Sequence, residues 1–115
     1  MIAIVMRRVP LAAVVALVLA MPVFTNVAWA ADANAVTIDN FMFAPATLTV
    51  PAGAKVIWTN RDSEPHTVLA AEPKGLFKSQ ALDIDDSFSF TFDKPGTYTY
   101  FCSIHPHMTG TIVVK

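Results

Sequence analysis

The stretch Tyr98 to Met108, YTYFCSIHPHM, holds the only cysteine of the 115-residue chain, Cys102, with His105 three residues on and Met108 three further. A thiolate, an imidazole and a thioether so close together form a soft, polarisable ligand set, which suits copper far better than calcium or magnesium. The alternation of Tyr98, Tyr100 and Cys102 reads as a strand, so the cysteine stands at a rigid strand end and the ligands after it lie on a turn tightened by Pro106. Such a loop can wrap one ion, but a copper site needs a second imidazole. The chain has three histidines. His107 adjoins Met108 and would have to point away for both Met108 and His105 to reach one ion, so it is assigned no coordination role. His66 remains, in Glu64-Pro65-His66-Thr67-Val68, where a Pro-containing turn runs into an apolar strand. The expected set is His66, Cys102, His105 and Met108. Two imidazoles and a thiolate in a plane, with a weak axial thioether, describe a blue-copper electron-transfer site.

The elements that must position these donors are short strands. Val36 and Ile38 alternate with polar neighbours, as do Leu48 and Val50. Lys55 to Thr59 places Val56 and Trp58 on one face, and Phe88, Phe90 and Phe92 alternate with Ser87, Ser89 and Thr91. Pro51-Ala52-Gly53 and Asp93-Lys94-Pro95-Gly96 are turns. Asn60 to Pro65 reads as a polar turn, His66 as the start of a strand that carries Val68 and Leu69, and Ala71 to Ala81 as a loop with room for a short strand. The last strand runs from Thr109 to Val114. Seven or eight strands and no convincing helix after the first thirty residues predict an all-β, Greek-key antiparallel sandwich.

Residues 1–30 read as a cleaved secretory signal. Arg7 and Arg8 form a basic start, Leu11 to Met21 an apolar run, and Ala28-Trp29-Ala30 a small-x-small cleavage pattern. The apolar run, broken by Pro22, falls short of the ~18 to 20 residues a membrane span needs. Residues 31–115 are then a single copper-binding domain, carrying six basic against nine acidic residues, a formal charge of −3. There is no basic patch for nucleic acid. A lone cysteine in an exported chain cannot form an internal disulfide, and its His and Met neighbours favour metal binding.

The segments KVIWTN (Lys55 to Asn60), PHTV (Pro65 to Val68) and GTYTYFCSIHPHMTGTIVV (Gly96 to Val114) resemble the cupredoxins, and the short Cys-x2-His-x2-Met loop is most similar to that of the amicyanins. The resemblance covers roughly residues 36 to 115. It implies a single type 1 copper held by His66, Cys102, His105 and Met108, the set reached from ligand chemistry. Thr67 stands where the family often has asparagine, Ile104 where proline is usual, and His107 where an aromatic residue is usual.

Four protein ligands leave no open position for a substrate, whereas catalytic metal sites retain one. The expected role is therefore one-electron transfer in the periplasm or outside the cell, without enzymatic activity. The protein would be a monomer that meets redox partners through a transient apolar patch around His105, built from Ile104, Pro106 and Met108. The competing reading is copper storage or delivery, against which stands the lack of Met- or His-rich tracts.

Overall fold

The computed structural model describes residues 34–115 together with residues 12, 16, 18 and 20–22, so most of the expected leader, and its cleavage point, lie outside the described residues. Eight strands run in chain order: β1 Ala35–Asp39, β2 Met42–Ala44, β3 Thr47–Val50, β4 Ala54–Asn60, β5 Leu69–Glu72, β6 Ser87–Phe92, β7 Gly96–Phe101 and β8 Thr109–Val114. They form two four-stranded sheets, ordered β2-β1-β4-β6 and β3-β8-β7-β5. The expected all-β sandwich is present. Two of its pairings, β1 with β4 and β3 with β8, are parallel, so each sheet is mixed rather than wholly antiparallel. The chain crosses from the first sheet to the second after β2 and returns at β4, and a strand that re-enters beside β1 after such a crossing runs in the same direction as β1.

Alternation along the strands builds the core. In β4, Ala54, Val56 and Trp58 are buried and Lys55 is exposed; β1 buries Val36 and Ile38. In β6 the serine and threonine face is exposed, with Phe92 fully buried and Phe88 and Phe90 partly so. The inner faces meet at Trp58, whose ring packs against Phe77, Phe88, Phe92 and Tyr100 with centroids 5.4–6.3 Å apart. Aromatic pairs at such spacings add to the stabilisation that burial alone provides.

His66 does not open a strand. It makes an isolated bridge to Leu82, its N–H donating to Leu82 O at 3.1 Å and its carbonyl accepting from Leu82 N–H at 2.7 Å, and β5 begins only at Leu69. The ladder is interrupted in between because Val68 N–H is taken by the Ser79 hydroxyl at 2.8 Å. Two strands carry the site's other side chains. β7 ends one residue before Cys102, and β8 starts one residue after Met108, so the ligand loop is a tight β7–β8 connection between antiparallel partners.

The approach of β7 to β8 depends on Gly110. A Cβ built there would lie 2.2 Å from the Tyr100 ring, and Tyr100 is fully buried two residues before Cys102. Burial also pushes the Tyr100 phenol up to about 12. Gly110→Ala is expected to destabilise the metal-free protein by about 1–3 kcal/mol, the usual cost of overpacking, seen as a lower urea midpoint at unchanged slope.

Candidate metal centre

The four sequence-expected residues come from two parts of the chain. His66 follows the turn after β4, and Cys102, His105 and Met108 follow β7. That turn is fixed by one buried side chain: Asn60 Nδ2 donates to Glu64 O at 2.9 Å and to Leu82 O at 2.8 Å, while its Oδ1 accepts from Asp62 N–H at 2.9 Å. The ligand loop closes on itself, with Cys102 N–H donating to Met108 O at 3.0 Å and Met108 N–H to His105 O at 2.9 Å. Both segments are therefore held by hydrogen bonds of the protein's own.

Donor atoms of His66, Cys102 and His105 all lie within 4.8 Å of one another. Cys102 Sγ is 3.8 Å from His66 Nδ1 and 3.8 Å from His105 Nδ1. Metal bonds of about 2.0–2.1 Å to nitrogen and about 2.3 Å to sulfur, opened to 120°, separate the two donors by about 3.8 Å, against about 3.6 Å at the tetrahedral angle. Both sulfur–nitrogen separations are those of donors that can share one metal ion. His66 and Cys102 are wholly buried, Met108 nearly so, and His105 half-buried. His107 is exposed and is not among the three donors that lie together.

The sulfur is prepared to be an anion. Burial raises the Cys102 thiol, but the Thr67 N–H, the His66 ring and the backbone and ring of His105 outweigh it and bring the group down to about 6. The Thr67 N–H donates to Sγ at 3.3 Å. A buried, hydrogen-bonded thiolate beside two imidazoles is a soft donor set with no carboxylate oxygen in it, so it fits copper and not magnesium or calcium.

Thr67 also locks the two segments together. Its Oγ1 accepts from Ser103 N–H at 2.8 Å, shares a hydrogen bond with Ser103 Oγ at 2.7 Å, and reaches Cys102 Sγ at 3.8 Å. Where the sequence shows only a threonine in the place of asparagine, the structure shows the hydroxyl tying the His66 segment to the Cys102 segment. Asp62 and Phe41 were not legible as site residues. Asp62 Oδ2 lies 2.7 Å from His66 Nε2, and the Phe41 ring sits edge-on to both imidazoles, with centroids 5.4 Å from His66 and 5.1 Å from His105. The one sequence signal for Asp62 is a carboxylate four residues before a ligand histidine. Thr67→Val removes the acceptor of the Ser103 N–H and is expected to destabilise the metal-free protein by about 0.5–1.5 kcal/mol, while Thr67→Ser keeps the latch and stays closer to the parent in urea unfolding.

Comparison with known proteins agrees with this geometry. Residues 11–114 match the family model for the cupredoxin-like domain. The chain is 34% identical over 90 residues to amicyanin of Paracoccus versutus, covering 74% of this chain and 67% of that protein. It is 36% identical over 102 residues to chloroplastic plastocyanin of Tetradesmus obliquus, covering 78% of this chain and 66% of that one. Among solved structures, a purple cupredoxin from Nitrosopumilus maritimus superposes with a TM-score of 0.66 at 33% identity, over 70% of this chain and 98% of that chain. The chain belongs to the cupredoxin-like family, and the cofactor its donor set fits is one type 1 copper ion.

Proposed function

We propose that residues 31–115 form an exported one-electron carrier, released from a signal peptide at residues 1–30, in which His66, Cys102, His105 and Met108 would hold a copper ion. The observation that carries this reading is the set of three converging donors, two of them wholly buried, within 4.8 Å of one another. Copper bound there would supply a one-electron couple. The protein's own residues do the rest. Thr67 N–H shares the charge of the Cys102 thiolate. Asp62 holds the Nε2 side of His66 and so leaves Nδ1, the nitrogen facing the sulfur, free to bind metal. Because both ligand segments are held by protein hydrogen bonds, little rearrangement is needed when the charge of the site changes.

Relatives named amicyanin and plastocyanin support a carrier rather than an enzyme. Among the described residues no helix is long and apolar enough to cross a membrane. Export to the periplasm or beyond is supported by the basic and apolar pattern of the first thirty residues. Partners would meet the protein, as a monomer, at the apolar rim near the half-buried His105, where Phe41, Met42 and Ile104 expose large side chains. Small rims of this kind suit the transient contacts of redox proteins.

The test is repeated electrochemical cycling of the copper-loaded protein in the presence of a Cu(I) chelator. A carrier returns the same copper over many cycles. Loss of the metal to the chelator at each reduction would assign storage or delivery instead. In the same measurement Met108→Gln is expected to retain copper at a lower reduction potential, because an amide oxygen is a harder ligand than a thioether and favours the oxidised ion. An unchanged or higher potential would remove Met108 from the axial position.

A further inference from the structure

The turn between β1 and β2 is a two-residue hairpin loop, Asn40-Phe41, between the paired residues Asp39 and Met42. Asn40 and Phe41 are consecutive non-glycine residues with φ of 50° and 58°. The left-handed region is uncommon for any residue with a side chain and an outlier for a bulky aromatic, and it persists only where the surroundings impose it. The hairpin asks for positive φ at both positions, and one carboxylate anchors the bulky Phe41 in it. Asp62 Oδ1 accepts from Asn40 N–H at 2.6 Å, and Oδ2 accepts from Phe41 N–H at 2.9 Å. Asn40 N–H is shared with its neighbour Asp39 Oδ1 at 2.9 Å. Successive backbone N–H groups that converge in this way form an anion-binding concavity.

The same Oδ2 lies 2.7 Å from His66 Nε2, so a single, largely buried carboxylate ties the turn to a metal-site imidazole. The consequence falls on Phe41. With its backbone fixed, its ring is edge-on to His66 and His105 together, while 47% of the residue remains exposed. Phe41 is therefore the layer between solvent and the wholly buried His66.

We propose that Asp62 and Phe41 act as one clamp, the carboxylate holding the left-handed turn and the ring closing the metal centre to small added ligands, which makes Phe41 a specificity-determining residue for outer-sphere chemistry. This inference rests on the copper site proposed above. It assigns the polar turn before His66 two tasks, fixing the imidazole's tautomer and fixing the lid.

The test uses Phe41→Ala, Asp62→Ala and the double variant of the copper-loaded protein, titrated with azide and followed by visible absorption and EPR. The parent protein is expected to keep its spectrum. Phe41→Ala should bind azide at least tenfold more tightly than the parent, and Asp62→Ala should move in the same direction. The double variant should gain little beyond either single change, because the two residues work as a unit. A second readout needs no copper: in metal-free Asp62→Ala, hydrogen exchange at the Phe41 amide should accelerate at least tenfold, and the His66 ring should lose its single-tautomer 15N NMR pattern. A parent protein with no thiolate-to-copper band would fail the copper reading itself. A parent with that band and a Phe41→Ala variant as indifferent to azide as the parent would overturn the clamp, as would additive effects of the two changes or unchanged exchange at Phe41.

Discussion

A buried thiolate is the constraint on which the rest of this structure depends. Cys102 is wholly buried one residue past the end of β7, where an unshared negative charge would be strongly disfavoured. It is tolerated because groups 35 and 36 residues earlier in the chain come to meet it: the Thr67 N–H at 3.3 Å and the His66 ring at 3.8 Å. The fold must therefore deliver the segment after β4 to the end of β7 with an accuracy of a few tenths of an ångström. The Thr67–Ser103 latch, the Asn60 side chain and the His66–Leu82 bridge each hold one part of that approach.

The layers around the sulfur follow from this requirement. The aromatic packing of Trp58, Phe77, Phe92 and Tyr100 joins the two sheets behind the site, and Tyr100 sits on the same strand two residues before the cysteine. Rigidity there is transmitted directly to the ligand. In front of the site the fold uses polar clamps instead, since the last shell before solvent has few apolar neighbours to hold it. Asp62 supplies that clamp for the β1–β2 turn, and both imidazoles carry the same aromatic edge.

Much of this was readable before any coordinates. Cys102, His105 and Met108 announce themselves because their chemistry is concentrated in one loop, and His66 follows from the shortage of histidines. Period-two alternation marks β1, β3, β4 and β6 almost residue for residue, because each of those strands has one wet face. The parallel pairings of β1 with β4 and β3 with β8 are not legible, since alternation says which face is buried and nothing about which neighbour a strand chooses. The isolated bridge at His66 is equally hidden, because it is a side chain, the Ser79 hydroxyl, that interrupts the ladder. Asp62 and Phe41 read as a turn aspartate and a packing aromatic, and only the meeting of residues some twenty positions apart shows otherwise. The family resemblance of the ligand loop was legible and stands, whereas most of the leader and its cleavage point lie outside the described residues.

The central claim is that the fold presents two imidazoles and one thiolate to a single copper ion. It is tested most directly by titrating the metal-free protein with Cu(II) and recording visible absorption and EPR on the same samples. The account predicts saturation at one equivalent, an intense thiolate-to-copper band and a narrow copper hyperfine splitting. A spectrum with wide hyperfine splitting and no intense visible band at full loading would contradict it.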